Sequence, residues 1–173
     1  MTTQPEQVLE NNLVSQLIAL GHKSVTIKTE DDLVNNLKTQ LEKHNKTTFT
    51  ASEFNRILID LSKGNIFDKA KFLREPKYVL QKDNGEKAYI EFINQDFWCQ
   101  NQFQVTNQIT INGKRENRYD VTILINGLPL VQIELKKRGI ELKEAHRQVC
   151  RYQQESFASN NALFNYVQLF VIS

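Results

Sequence analysis

Residues 119–153 read YDVTILINGLPLVQIELKKRGIELKEAHRQVCRYQ, and the parity of this stretch decides the fold. Asp120 to Ile125 predicts a strand, Asn126-Gly127-Leu128-Pro129 a turn, and Leu130 to Lys136 a second strand. Glu141 to about Glu155 predicts a helix with Leu142, Ala145, Val149 and Tyr152 on one face. Side chains alternate faces along a strand. The odd positions Val121, Ile123, Ile125, Val131, Ile133 and Leu135 are all apolar. The even positions include Asp120, Thr122, Gln132, Glu134 and Lys136, with Leu124 and Leu130 as exceptions near the turn. For the apolar faces to coincide, even residues must pair with even residues. That register sets Asp120 opposite Glu134 or Lys136, with Cβ atoms about 5 Å apart.

Two carboxylates held that close repel each other, and a divalent cation bridging them removes the conflict. Hard oxygen ligands favour Mg2+, with Mn2+ as a substitute. Lys136 falls on the same strand face, two residues after Glu134. Its ammonium would orient an attacking water or stabilise developing phosphate charge. Gln148 and Tyr152 are i and i+4 on the following helix, so they share a face. An E-x-K tripeptide alone is weak evidence, because exposed strands often alternate Glu and Lys with Val and Ile. The added Asp120 in register and the Gln148/Tyr152 pair make the set specific.

Outward from this stretch, the N-terminal segment is helical in spacing. Glu6 to Leu20 carries Val8, Leu9, Leu13, Leu17 and Leu20, and Gly21 stops it. Val25 to Lys28 predicts a short strand. Thr29 before Glu30, Asp31 and Asp32 predicts the capped start of a helix to about His44, striped by Leu33, Leu37 and Leu41. Thr50 caps a third helix with Phe54, Ile57, Leu58 and Leu61, ended by Gly64. Tyr78 to Gln81 and Lys87 to Ile93 flank Asp83-Asn84-Gly85, a hairpin signal. Phe97 to Ile111 reads as extended, with Phe103, Val105, Ile109 and Ile111 for burial and Phe97 and Trp98 in the core. Residues 112–118 read as a polar, basic linker, and Tyr166 to Ile172 as a buried strand on which the chain stops. An apolar ending of that kind suggests an N-terminal fragment of a longer chain.

Composition narrows the function. The 173 residues carry 22 basic and 20 acidic side chains, a net charge of +2, which excludes nucleic-acid binding by bulk charge but leaves room for a local patch. No apolar run approaches the roughly 20 residues of a transmembrane helix, so no membrane partner is expected. The first residues lack a signal peptide, and the two cysteines, Cys99 and Cys150, make no disulfide framework. A cytoplasmic location is expected. His22, His44 and His146 show no metal-ligand spacing with one another or with the cysteines.

Asp120 followed by Glu134-Leu135-Lys136 resembles the PD-(D/E)xK nuclease motif, and Gln148-Val-Cys-Arg-Tyr152 resembles the QxxxY motif of its RecB-like branch. The stretch from Asn117 to Ser173 resembles the N-terminal nuclease domain of the R (restriction, motor) subunit of type I restriction-modification enzymes. The first helix, with Glu10 and Gly21, resembles that family's first helix, where an acidic residue can join the site. Tyr119 stands where the motif name has proline, a common departure in this superfamily.

The resemblance implies an α/β fold with a mixed β-sheet flanked by helices. Residues 1–173 would be a single endonuclease domain, with a mostly helical part at 1–64 and a sheet-containing catalytic core at 77–173. Helicase domains driven by ATP would follow beyond residue 173. The implied function is Mg2+-dependent cleavage of double-stranded DNA, in a complex with specificity and methyltransferase subunits. By position, Asp120 and Glu134 would be metal ligands, with Glu10 as a further candidate. Lys136 would be the catalytic lysine, and Gln148 and Tyr152 the accessory pair. Arg118, Lys137 and Arg138, with Lys114 and Arg115 nearby, would contact phosphates. No G-x-x-x-x-G-K-[ST] occurs, so no ATP binding through a P-loop is expected within these residues. The rival readings are a repair or junction-resolving nuclease of the same fold, and a non-catalytic module that docks DNA or partner subunits.

Overall fold

The computed structural model of the chain describes residues 5–112, 116–136, 146–147, 150 and 163–173. Helix α1 (Glu6–Ala19) is followed by the short strand β1 (Lys23–Ser24) and by α2 (Glu30–Asn45), α3 (Ala51–Ser62) and α4 (Ile66–Arg74). The remaining strands are β2 (Tyr78–Gln81), β3 (Lys87–Ile90), β4 (Phe103–Asn112), β5 (Glu116–Ile125), β6 (Leu128–Glu134) and β7 (Leu169–Ile172). Five of them form a mixed sheet in the order β1-β4-β5-β6-β7, while β2 and β3 form a separate hairpin. β4, β5 and β6 are antiparallel to one another; β1 and β7 run parallel to β4 and β6. This is the α/β architecture with a mixed, helix-flanked sheet that the family resemblance implies.

Local chemistry explains the helix starts. Thr29 Oγ1 accepts from the Asp32 N–H while the Asp32 carboxylate accepts from the Thr29 N–H, a closed capping box. Thr50 with Glu53, and Asn65 with Asp68, repeat the arrangement for α3 and α4. The β5–β6 turn is equally determined. Asn126 and Gly127 have φ of 49° and 85°, the left-handed pair that a two-residue turn requires. A Cβ on Gly127 would lie 2.7 Å from Leu37 Cα, so the turn rests directly on the α2 backbone.

The sheet is buried on both faces. Val105, Val121, Ile133 and Leu135 pack against Leu9, Leu13, Val14 and Leu17 of α1. Leu124, Leu128 and Leu130 join Leu33, Leu37 and Leu41 of α2, Phe54, Ile57 and Leu61 of α3, and Leu73 of α4. The even face of the hairpin is therefore no solvent face. Thr122 and Gln132 are buried, and the Thr122 hydroxyl donates to Gln132 Oε1 at 2.7 Å.

Several elements differ from the sequence reading. Helix α4 lies where none is predicted; it is nine residues long and leaves Ile66 and Phe67 exposed, so its apolar pattern is scrambled. The first strand is Lys23–Ser24 rather than residues 25–28; regular pairing with β4 ends there, and beyond it only single bonds reach β4, such as Val25 N–H to Val105 O and Thr110 N–H to Lys28 O. β5 begins at Glu116, inside the expected linker, since β4 and β5 stay paired out to Asn112 opposite Glu116. Pro129 sits in β6 rather than in the turn, and a bulge between Ile123 and Leu124 accommodates it. β3 ends at Ile90, and residues Trp98–Gln100 form a 3-10 turn rather than strand. Phe97 and Trp98 are 61% and 69% exposed, not core. The end of the chain is a 3-10 turn, Leu163–Tyr166, and then β7, whose Leu169 is 55% exposed, because among the described strands it is the sheet edge. Of the predicted helix 141–155, His146, Arg147 and Cys150 are helical; the rest lies outside the described residues.

Candidate active site

The antiparallel register puts Val121 opposite Ile133 and Thr122 opposite Gln132. One step further along the same register, Asp120 faces Glu134. Both are buried, Glu134 at 1% exposure. Asp120 Oδ2 accepts a hydrogen bond from the Leu135 N–H at 2.8 Å, which pins the carboxylate against β6. Lys136 Nζ donates to Glu134 Oε1 at 2.9 Å. β7 braces this end of β6: the Lys136 N–H donates to Ser173 O at 2.7 Å and the Ser173 N–H to Glu134 O at 3.0 Å.

The electrostatics follow from that packing. Burial pushes the Glu134 carboxyl up to about 7, and the charge of Asp120 adds to it against the pull of Lys136. Burial also raises Asp120, opposed by the Leu135 N–H and by Lys136. Burial works to lower Lys136, but its hydrogen bond to Glu134 and the surrounding negative charge outweigh this and raise it. Glu134 Oε2 is buried with no hydrogen-bond partner among the described residues. An orphaned carboxylate oxygen beside a second buried carboxylate is costly unless positive charge reaches it. The oxygen donors of Asp120 and Glu134 fit a hard divalent cation. Among the described residues, no group of three His, Cys, Asp or Glu side chains forms a metal cage.

Helix α1 brings further acid to the same end of the sheet. Glu10 is 3% exposed; burial raises its carboxyl, Gln108 counters this, and the charge of Asp120 adds to the rise. Gln108 Nε2 donates to Glu10 Oε2 at 2.9 Å. Glu6, one turn before Glu10, repels both Asp120 and Glu134. Arg118 acts in the other direction, its charge lowering both Glu10 and Asp120.

Of the residues singled out from sequence, Asp120, Glu134 and Lys136 are thus brought together, with Glu10 and Arg118 beside them. Gln148, Tyr152, Lys137, Arg138, Lys114 and Arg115 lie outside the described residues. Sequence reasoning missed Glu6 and Gln108. The i, i+4 spacing of Glu6 and Glu10 on one helix was a readable signal. Gln108 carries none, since its place depends on a backbone kink.

The comparisons with known proteins agree in direction. A family model described as type I restriction enzyme R protein N terminus matches residues 3–173. The chain is 44% identical over 178 residues to the type I restriction enzyme SsaAORF53P endonuclease subunit of Staphylococcus saprophyticus, an alignment covering 100% of this chain and 19% of that protein. It is 39% identical over 176 residues to the type I restriction enzyme EcoprrI endonuclease subunit of Escherichia coli, covering 98% of this chain and 56% of that protein. A third relative, the type I restriction enzyme HindI endonuclease subunit of Haemophilus influenzae, is 31% identical over 110 residues, covering 60% and 10%. The chain spans about a fifth of the length of its staphylococcal relative. Because the family match takes in the first helix and the β5–β6 hairpin alike, the chain belongs to the family of type I restriction enzyme R protein N-terminal regions.

Proposed function

We propose that this chain is the Mg2+-dependent DNA endonuclease domain of a type I restriction enzyme R subunit, of the PD-(D/E)xK fold. The observation that carries the reading is the convergence of buried Asp120 and Glu134 with Lys136 at one end of the hairpin, with Glu134 Oε2 left without a hydrogen-bond partner among the described residues. Asp120 and Glu134 would hold the cation, with Glu10 nearby, and water and phosphate oxygens would complete its shell. When bound, the ion supplies Lewis-acid polarisation of the scissile phosphate and a water of lowered pKa.

The protein's own groups do the rest. The Leu135 N–H holds Asp120 in one orientation, so the carboxylate pair is preorganised rather than assembled on binding. Lys136 is anchored by Glu134, so its ammonium stands where negative charge grows as the phosphodiester is attacked. Gln148 and Tyr152 would present an amide and a phenol from the following helix to the substrate or to water. Arg118, Lys137 and Arg138 would meet backbone phosphates of double-stranded DNA. In the full-length subunit, cleavage would be gated by ATP-driven translocation from domains beyond this chain, in a complex with specificity and methyltransferase subunits.

The test is cleavage of double-stranded DNA by the reconstituted complex. Asp120→Ala, Glu134→Ala and Lys136→Ala are each expected to lose cleavage by at least about a hundredfold while ATP hydrolysis stays near wild type. Cleavage that survives all three substitutions would refute the assignment.

A further inference from the structure

Gln108 is the one residue of β4 in the left-handed region, with φ of 55°. Residues other than glycine and asparagine rarely hold that conformation. The β4–β5 pairing steps over it: Asn107 faces Val121, Ile109 faces Tyr119, and Gln108 stands between them, level with Asp120. Such backbone outliers persist where surrounding contacts over-determine them, and they concentrate at functional sites.

The contacts that hold this one lie on α1. Gln108 Nε2 donates to Glu10 Oε2 at 2.9 Å and to Gln7 Oε1 at 2.7 Å. Two acceptors on one nitrogen fix which way the amide points. Gln7 donates onward to Asn11 Oδ1 at 3.3 Å, so the amide chain runs along one face of the helix. The Asn107 side chain also favours the charged form of Glu10. Glu10 itself is buried and feels the charge of Asp120. A carboxylate in that place swings away from its neighbour unless donors hold it.

We infer that Gln108 is a positioning residue: its left-handed backbone turns its amide onto α1, where it fixes the Glu10 carboxylate beside Asp120 at the proposed cation site. The inference rests on the reading of Asp120 and Glu134 as that site. It assigns to an uncharged strand residue the task of joining the first helix to the hairpin.

The test is titration of the full-length protein with Mn2+ alone, read by calorimetry and by the electron paramagnetic resonance spectrum of the bound ion. Glycine accepts a φ of 55° freely, so Gln108→Gly removes the amide without straining the backbone and is expected to keep a cooperative melting transition within several degrees of wild type. Its Mn2+ affinity is expected to fall about tenfold, as for other groups that orient a metal ligand. Glu10→Gln should change the spectrum in the same way, and the double variant should bind no more weakly than Glu10→Gln alone. If Gln108→Gly binds Mn2+ like wild type while Asp120→Ala does not bind, the inference falls and the cation site stands. If Asp120→Ala binds like wild type, the cation site falls and the inference with it. Loss of the cooperative melting transition in Gln108→Gly would place the residue in the scaffold and overturn the inference.

Discussion

Glu134 is the residue on which the account turns, because its environment is wrong for a charge. Its folded pKa is raised from the ordinary 4.5 up to about 7, by burial first and Asp120 second. A carboxyl raised in this way binds its proton more readily when folded than when unfolded. Its contribution favours folding below pH 4.5 and is lost as pH rises through about 7. Glu134→Gln removes the buried charge and is expected to stabilise the metal-free protein by about 1–3 kcal/mol above pH 7, Lys136 offsetting part of the gain. The difference should close towards pH 4.5, and thermal unfolding across a pH series in chelating buffer checks both size and sign. Gly127 is the other decisive single residue. Gly127→Ala forces a Cβ within 2.7 Å of Leu37 Cα at a φ of 85°. The expected loss is about 2–4 kcal/mol in denaturant unfolding, far above an ordinary turn substitution.

Elements differ in how openly the sequence announces them. The β5–β6 hairpin was readable because two constraints act on the same residues: alternation fixes the faces, and Asn126-Gly127 fixes the turn. Those two constraints bring Asp120 opposite Glu134 or Lys136, and the pairing of Val121 with Ile133 selects Glu134. The starts of α2 and α3 were readable from Thr29 and Thr50, whose hydroxyls each satisfy an N–H that the helix cannot. Thr29→Ala is accordingly expected to cost about 1 kcal/mol, measured by denaturant unfolding, and Thr29→Ser almost nothing. α4 was not readable, because Ile66 and Phe67 face solvent and Lys69 is buried, against the usual sense of those residue types. Lys69 is buried because Nζ donates to Leu61 O at 2.8 Å and Lys63 O at 3.2 Å, closing the end of α3. Phe97 and Trp98 go against their aromatic type in the same way: local hydrogen bonds, from the Phe97 N–H to Asn94 Oδ1 and from Asn101 Nδ2 to Trp98 O, close a turn that leaves both rings exposed. Gln108 was invisible because nothing in β4 alone requires a left-handed step there.

At the scale of the whole molecule, the sheet is closed over on both faces and keeps its acidic residues at one end. α1 covers the odd face of the hairpin with Leu9 and Leu13 and delivers Glu6 and Glu10 to the carboxylate pair with the same helix. Packing and chemistry are thus served by one element, and the near-neutral net charge of +2 conceals a local concentration of acid. Proton and cation compete for that acid. Mn2+ affinity, followed by calorimetry from pH 5.5 to 8.5, is expected to rise nearly tenfold per pH unit below about 7 and to flatten above it. A flat profile would mean that Glu134 is not a ligand. The most direct test of the central claim locates the ion itself. Fe2+ substitutes for Mg2+ at oxygen-rich sites, and with ascorbate and peroxide it cuts the backbone nearest to it. Mass spectrometry of the fragments is predicted to show scission at Asp120 and at Glu134, abolished in Asp120→Ala. Scission elsewhere, or unchanged in that variant, would contradict a metal-dependent nuclease site on this hairpin.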